Sequence, residues 1–366
     1  MSQGTGKGDQ RARRARTRRG SRMPALYASS MMACPACGET STVVIRTHSI
    51  TDAATHLLPP RRDPARHELL KTALRRLWNS DQVAIRVCDH CGFGFADPFV
   101  AATAEIYNLI TGGAEHYPHD RVEFGHTIDV LRAEPAGRLL EIGAGHGAFI
   151  RKARAAGVAR ETVTTEYDDG AIRALRKIPG NAAFQGSVQE LAATGPGTFD
   201  AICMFQVLEH MDRLDEVFAS LAAMSMEGTK LFVGVPNVRR TNVQETLARF
   251  WDMPPNHVGR WTLEALAAIA GPAGFAISDH RCDPAPRLVE TWRLAKCRWE
   301  ARAYRPHSVG ARVNGIADRR VRGVLKRSLA LWDLVMLSPH FGQIPALTQW
   351  IALTRDGSPT RASTSK

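Results

Sequence analysis

The segment Arg138-Leu-Leu-Glu-Ile-Gly-Ala-Gly-His-Gly-Ala-Phe-Ile150 decides the fold of this chain. Its apolar start, its alternating glycines and its apolar end predict a short buried strand, a tight turn and a helix running to about Ala156. Gly143, Gly145 and Gly147 have no Cβ atom, so a ligand can lie directly against the backbone. The segment therefore predicts a strand–turn–helix unit that binds a nucleotide-like cofactor.

The glycine turn alone leaves two cofactor classes open. Its spacing, Gly143-x-Gly145-x-x-Ala148, also fits the turn that holds the pyrophosphate of a dinucleotide. However, Glu141 stands two positions before the first glycine, where its carboxylate would repel a pyrophosphate and attract an ammonium group. Glu166 ends the next predicted strand, about twenty residues further on, where a carboxylate binds ribose hydroxyls. Both cofactor classes contain a ribose, so it is Glu141 that favours S-adenosylmethionine, which has an ammonium group but no phosphate.

Three motifs in order resemble the class I S-adenosylmethionine-dependent methyltransferases. Leu140–Gly147 is similar to their strand-one motif, and Phe199–His210 resembles the fourth strand and following loop of the small-molecule branch. Thr229–Asn237 matches the fifth strand and follows a helix predicted from about Asp212 to Met226. The resemblance covers roughly residues 135–282. It implies a Rossmann-like α/β domain with a seven-stranded sheet and helices on both faces.

The same resemblance implies which residues bind the cofactor. The glycine turn and its preceding acid would line the methionine end, the acid ending the next strand would take the ribose, and the residue ending strand four would stand beside the sulfonium. Two residues after the third strand would flank the adenine, although many relatives have Asp at the first of these positions. The predicted cofactor-binding residues are Glu141, Gly143, Gly145, Gly147, Glu166, Ser187, Val188 and Gln206.

Two C-x-x-C-G segments predict a metal site. They are Cys34-Pro-Ala-Cys37-Gly and Cys88-Asp-His-Cys91-Gly, and 50 residues separate the two pairs. Four thiolates form the closed tetrahedral arrangement of structural Zn²⁺. A gap of about 15 to 20 residues is usual for a compact ribbon, so this one is long. Because no thioredoxin-like βαβ pattern surrounds either pair, we predict structural zinc rather than a redox dithiol, with His90 as an alternate ligand.

The cysteine pairs and catalytic motifs together resemble bacterial methyltransferases of sugar, polysaccharide and natural-product pathways. Their active-site loop is similar to Pro254-Pro-Asn-His-Val-Gly-Arg-Trp-Thr262. The resemblance implies that His257 is the general base and that Asn256 and Arg260 orient it or bind the acceptor. In the deoxysugar C-methyltransferases a Glu precedes this His. Because Asn256 stands there in this chain, we expect oxygen methylation of a small molecule or saccharide, with sugar C-methylation as an alternative.

Charge and composition indicate how the chain is divided. The formal net charge is +12, but residues 1–30 hold one Lys, seven Arg and one Asp, which leaves only +5 for the remainder. We predict a disordered basic tail over 1–30, a zinc-ribbon module over 31–100 and a methyltransferase domain over 101–356. A helical insertion is expected at 283–343 and a second disordered tail at 357–366.

Several roles stay open at this point. An rRNA methyltransferase with a zinc-binding N-terminus would use the basic tail for nucleic acid, but the chain lacks the Asn/Asp-Pro-Pro-Tyr loop and the Pro-Cys nucleophile of such enzymes. We expect Glu209 and His210 to support a helix start rather than catalyse. Tyr107 and Tyr117 could serve the core or the site equally well.

The chain has no apolar run of about 18 residues and no apolar segment after its basic start, so a cytoplasmic location without a transmembrane segment is expected. The sequence indicates no oligomeric state.

Overall fold

The computed structural model describes residues 32–60, 62–111, 120–246, 252–283, 286–304, 307–337 and 344–356. The predicted tails at 1–30 and 357–366 lie outside these residues, and so does Tyr117. Within the described ranges, none of the helices is both long enough and apolar enough to cross a membrane.

Strands and helices alternate through most of the chain. The strands are β1 (Thr42–Ser49), β2 (Gln82–Cys88), β3 (Gly94–Asp97), β4 (Ala136–Ile142), β5 (Ala159–Glu166), β6 (Asn181–Gln185), β7 (Phe199–Phe205), β8 (Ser225–Pro236), β9 (Gly259–Arg260), β10 (Phe275–Arg281) and β11 (Thr348–Arg355). The helices are α1 (Ile50–Leu57), α2 (Pro64–Trp78), α3 (Ala104–Thr111), α4 (Val122–Ala133), α5 (Ala148–Ala155), α6 (Asp169–Leu175), α7 (Val188–Ala193), α8 (Leu214–Ala223), α9 (Val238–Thr246), α10 (Leu263–Ala270), α11 (Arg287–Tyr304), α12 (Val309–Asn314) and α13 (Arg319–Leu337).

A seven-stranded sheet forms the centre of the fold, in the order β10-β11-β8-β7-β4-β5-β6. Strands β4 to β8 are parallel, whereas β11 runs antiparallel to both β8 and β10. The central strand β7 is apolar along nearly its whole length, as a strand covered on both faces must be, and six of its seven residues are buried. The predicted class I methyltransferase fold is confirmed.

The chain changes direction in this sheet beside β4. It passes from β4 outward through β5 and β6, and then returns to add β7 on the other side of β4. The loops after β4 and β7 therefore diverge at the carboxyl ends of neighbouring strands, which is where open α/β sheets bind ligands. The glycine turn follows β4, so the topology places it at this point.

A second sheet, in the order β1-β2-β3-β9, carries the cysteine pairs at its end. The 50 residues between the pairs form β1, the helices α1 and α2, and β2. Ser49 and Asp52 make a capping box at the start of α1, and Asp63 caps α2 ahead of Pro64. The long gap is thus an ordered helical pair inserted between two antiparallel strands.

The hydrophobic core is continuous from the cysteine sheet to the large sheet. One buried cluster joins Cys34, Cys88 and Phe93 to Leu140 of β4 and Phe218 of α8. A separate cluster on the other side of the large sheet contains residues from α4, α5 and α6.

The segment before the last strand is helical, as predicted. Leu288–Tyr304 lies in α11 and Val321–Leu337 lies in α13, with the short α12 between them. Thr262 caps α10 by accepting a hydrogen bond from the backbone N–H of Ala265.

Candidate active site and cysteine cluster

The glycine turn is held against the neighbouring strand and loop. The backbone N–H groups of Gly143 and Ala144 both donate to the carbonyl of Thr165, at 3.0 and 3.1 Å. Gly143 has φ +66°, and a Cβ atom there would lie 2.6 Å from Cγ2 of Val207 in the loop after β7. Glycine is therefore required at this position both by the backbone conformation and by the close approach of the two loops.

Glu141, near the end of β4, is buried without a hydrogen-bond partner for one of its oxygens. The residue is 3% exposed, and its Oε2 atom has no partner among the described residues. Burial, together with the nearby carboxylate of Glu166, raises the pKa of Glu141 well above its usual range. A buried acid of this kind fits a cationic ligand group, because the cation would supply the missing interaction. The ammonium group of S-adenosylmethionine meets that description.

Glu166, at the end of β5, points its carboxylate at the glycine turn. Its Oε2 accepts from the N–H of Gly145 at 2.7 Å, and its Oε1 accepts from the N–H of Tyr167 at 2.7 Å. Tyr167, the next residue in the chain, is 68% exposed. The sequence interpretation did not single out Tyr167. Its position, directly after the predicted ribose-binding acid, is the signal that could have found it, because an exposed ring there offers a stacking face.

Gln206 follows β7 in a left-handed backbone conformation, with φ +58°. Such a conformation is uncommon for a residue other than glycine. The Gln206 backbone N–H donates to the carbonyl of Gly234 at 2.7 Å, and its side-chain Nε2 donates to Oε1 of Glu123 at 3.2 Å. Glu123 is a buried residue of α4 that no sequence motif indicated. The contacts fix Gln206 at the carboxyl edge of the sheet.

Ser187 and Val188 lie beyond the carboxyl end of β6, next to the strand that ends in Glu166. The Ser187 hydroxyl accepts from the N–H of Glu190 at 3.0 Å and donates to its Oε2 at 2.9 Å. Its side chain thus forms a capping box for α7. Val188 is buried.

His257 lies on the loop between α9 and β9 and is paired with an acid. Its Nδ1 atom contacts Oδ1 of Asp252 at 2.5 Å. Burial disfavours the charged imidazole, but the hydrogen bond and the charge of Asp252 outweigh it and raise the pKa of His257. An ionised carboxylate can accept a hydrogen bond but cannot donate one, so Nδ1 carries the hydrogen, and in the neutral imidazole Nε2 keeps its lone pair. This is the tautomer that a general base needs.

Glu209 and His210, which the sequence interpretation treated as support for a helix start, lie directly beside His257. The two imidazole rings are edge to face with centroids 4.6 Å apart. His210 Nδ1 contacts the hydroxyl of Tyr107 at 2.8 Å and the backbone carbonyl of Asn256. Glu209 is 1% exposed, and burial raises the pKa of its carboxyl group to about 7.

Arg260, expected to orient His257 or to bind the acceptor, is held in a buried ion pair. Its Nη2 lies 2.5 Å from Oε1 of Glu245 on α9, and Arg46 of β1 lies 3.6 Å from the other oxygen of that carboxylate. Asn256 contacts the site through its backbone carbonyl, which lies against Nδ1 of His210. Arg260 therefore joins the cysteine sheet to α9.

The four cysteines predicted to bind zinc meet at one point. Their sulfur atoms lie within 4.8 Å of one another; Cys34 and Cys91 are 3.7 Å apart, and Cys37 and Cys88 are 3.6 Å apart. Metal–sulfur bonds of about 2.3 Å in a tetrahedron place the sulfurs about 3.8 Å apart. The arrangement fits a zinc ion and is too wide for a disulfide. His90 is not part of this cluster.

The cysteine cluster contacts the loop that carries His257. Strand β9 pairs with β3, directly beyond the second cysteine pair. Phe93 packs on Trp261 with ring centroids 4.6 Å apart. On the other side of the loop, the N–H of Val258 donates to the carbonyl of Glu209 at 2.9 Å. The loop is thus held between the cysteine sheet and the carboxyl edge of the large sheet.

Residues 116–280 match the family model described as "Methyltransferase domain". The chain carries a methyltransferase domain. The matched residues include strands β4 to β8, the glycine turn and the loop of His257. Together with the strand order and the acids at the glycine turn, the match makes the protein an S-adenosylmethionine-dependent methyltransferase.

Solved methyltransferase structures are similar to this one at low identity. The cyclopropane synthase MmaA2 from Mycobacterium tuberculosis is 16% identical, with 63% of this chain and 83% of that chain covered at a TM-score of 0.40. A methyltransferase from Thiobacillus denitrificans in complex with S-adenosyl-L-homocysteine is 12% identical, with 70% and 100% covered at a TM-score of 0.40. No curated protein matches the sequence.

Proposed function

We propose that this methyltransferase acts on a hydroxyl group of a small-molecule or saccharide acceptor. The observation that carries the proposal is the pairing of His257 with Asp252 at 2.5 Å, beside the residues that follow β7. Methyl transfer to a hydroxyl group requires a proton acceptor near the reacting oxygen. The pair provides one in the tautomer required, on a loop held at the cofactor-binding edge of the sheet.

The cofactor side of the site has acids suited to S-adenosylmethionine. Glu141 would neutralise the ammonium group, and Glu166 would accept hydrogen bonds from the ribose. Gln206 and the glycines Gly143, Gly145 and Gly147 would shape the methionine end, as the resemblance to class I enzymes implies. Ser187 and Val188 would flank the adenine through their backbone and apolar surface, because the Ser187 hydroxyl is engaged with Glu190.

When bound, S-adenosylmethionine would supply an activated methyl group for the acceptor oxygen, with S-adenosylhomocysteine as the leaving group. His257 takes the hydroxyl proton at Nε2 and becomes a cation. The Asp252 carboxylate, already hydrogen bonded to Nδ1, stabilises that cation and keeps the ring oriented. Asn256 supports the arrangement through its carbonyl, which fixes the neighbouring His210.

We propose that Cys34, Cys37, Cys88 and Cys91 bind a structural Zn²⁺. The sulfur separations of 3.6 and 3.7 Å match a closed four-thiolate site, which leaves no coordination position for substrate. The ion would fix the sheet against which the His257 loop is packed.

We infer the proposed acceptor class from the combination of the cysteine-pair module with the Pro-Pro-Asn-His loop. Its direct test uses the full-length protein, S-adenosylmethionine and panels of sugar nucleotides, glycosylated intermediates and RNA, with mass spectrometry for the gain of one CH₂ group. Hydroxyl-bearing saccharides or small molecules should be the only substrates, and nuclear magnetic resonance of the product should place the methyl on oxygen. Methylated carbon would replace the proposal with sugar C-methylation, and methylated RNA would replace it with rRNA modification.

A further inference from the structure

A second group of metal-ligating side chains lies at the active site, away from the cysteines. Glu209, His210 and His257 each offer one ligand atom, and these atoms all lie within 4.8 Å of one another. Two imidazoles and one carboxylate are a ligand set that holds a divalent transition-metal ion while leaving coordination positions open. Such a set suits zinc, iron, cobalt or nickel better than magnesium or calcium, which prefer oxygen ligands.

Each histidine has the outer partner that metal-binding histidines require. His257 donates its Nδ1–H to the carboxylate of Asp252, and His210 donates its Nδ1–H to the carbonyl of Asn256. The Asp252 and Asn256 oxygens can only accept, so each Nδ1 carries a hydrogen, and the Tyr107 hydroxyl beside Nδ1 of His210 is then a second acceptor. In their neutral forms both rings therefore present the Nε2 lone pair as their remaining ligand atom. A carboxylate or carbonyl behind the imidazole is the usual means of orienting a metal-bound histidine.

The burial and contacts of Glu209 give an independent argument that a cation fits here. It is 1% exposed, and neither of its carboxylate oxygens has a hydrogen-bond partner among the residues that the structure describes. A buried carboxylate without partners is costly. An ion bound between Glu209 and the two histidines would provide that partner.

We propose that Glu209, His210 and His257 form a second metal site, for a divalent transition-metal ion with nitrogen and oxygen ligands. This inference goes beyond the proposed function but shares His257 with it. An ion on Nε2 of His257 occupies the lone pair that would take the hydroxyl proton. The metal-bound and proton-accepting forms of the site therefore exclude each other.

Cobalt titration of the full-length protein, purified with zinc at the cysteines and free of any histidine tag, tests the site without using turnover. Metal analysis after equilibrium dialysis should give one equivalent of cobalt besides the cysteine-bound zinc, with visible bands that lack strong sulfur-to-cobalt absorption. Glu209→Gln should weaken cobalt binding by at least about tenfold. Glu123→Gln, the same change at another buried acid, should leave it intact.

Two results would overturn the site: no cobalt beyond the cysteine cluster, or a second equivalent that Glu209→Gln leaves unchanged. Retained zinc and S-adenosylmethionine binding show that a variant is folded. If Glu209→Gln fails to fold, His257→Gln, which changes a less buried residue, must lose the second equivalent instead.

The exclusion of base catalysis is tested separately. Zn²⁺ at concentrations that fill the second site should lower turnover, and unchanged turnover would remove His257 from the ligand set. If no acceptor is methylated at all, the proposed function fails, but the cobalt stoichiometry still decides whether the metal site exists.

Discussion

The hydroxyl of Thr262 donates a hydrogen bond of 2.6 Å to the backbone carbonyl of Cys91. Thr262 is also the N-cap of α10, so one side chain connects the second cysteine pair to the helix that follows the His257 loop. The contact connects the cysteine cluster to the segment that carries the proposed base.

Replacing one cysteine of the cluster should therefore affect catalysis as well as stability. Cys88→Ser removes a proposed zinc ligand, so zinc content should fall and the Tm should drop by several degrees. Among molecules that remain folded, kcat should fall more than cofactor affinity, because β3 and Thr262 no longer fix the loop. Metal analysis, thermal denaturation and calorimetry measure these effects. Cys282→Ser, at an exposed thiol outside the cluster, is the control and should change none of them.

His257→Ala should lower kcat at least about a hundredfold, the low end for loss of a general base. The Kd for S-adenosylmethionine should stay nearly the same, since no predicted cofactor residue is touched. Steady-state kinetics and calorimetry separate the two quantities. His280→Ala changes an exposed histidine of β10 and should be silent. Full turnover in His257→Ala would exclude His257 from proton transfer.

Glu141→Gln should weaken S-adenosylmethionine binding by about 10- to 100-fold, because a charge-assisted contact to the ammonium group is lost. The same change should stabilise the cofactor-free protein, since it removes a buried acid that is near Glu166. Calorimetry and thermal denaturation would give opposite signs for these two effects. A variant with unchanged cofactor affinity would show that Glu141 does not meet the ammonium group.

The stabilisation by Glu141→Gln should also depend on pH. The pKa of Glu141 is raised in the folded protein above its ordinary value of 4.5, so the unfolded chain loses this proton first. Wild-type stability therefore falls relative to the variant as the pH rises above that ordinary value, until the folded carboxyl group also ionises. Denaturation at several pH values measures the difference, and a constant gap would contradict it.

Gly143→Ala should destabilise the protein by about 1–3 kcal/mol, because the residue has a left-handed backbone conformation and the added Cβ would meet Val207 at 2.6 Å. It should also impair cofactor binding. Gly125→Ala is the matched control: no atom lies within 4 Å of the added Cβ. Gly125 lies inside α4, where alanine favours the helix by roughly 0.5–1 kcal/mol. Equal denaturation midpoints for both variants would refute the close approach.

The sequence was most informative where local pattern and backbone geometry coincide. Strand β4, the glycine turn after it and the acid that ends β5 are each determined by residues close together in the sequence. The structure has these elements where they were predicted. The sulfur cluster was also predictable, because the two-residue spacers fix each cysteine pair.

Contacts between distant segments could not be read from the sequence. Glu245 forms an ion pair with Arg260, and Glu209 and His210 lie beside His257. Both contacts exist only because the fold brings together segments that are far apart in the sequence. Glu123 gave no signal, since its contact with Gln206 depends on how α4 packs. For Ser187 a signal existed: the Ser-x-x-Glu pattern of a capping box was present in the sequence.

Strand β9 has only two residues, Gly259 and Arg260, yet it belongs to the cysteine sheet, whereas the proposed base stands two positions earlier in the chain. The His257 loop and the cysteine sheet therefore form one structural unit that would have to be exchanged together. A chimera that imports the loop from a relative should misplace its histidine unless β3 and both cysteine pairs come with it. Attempts to change the acceptor by grafting should take their boundaries from that hydrogen-bonded pair of strands.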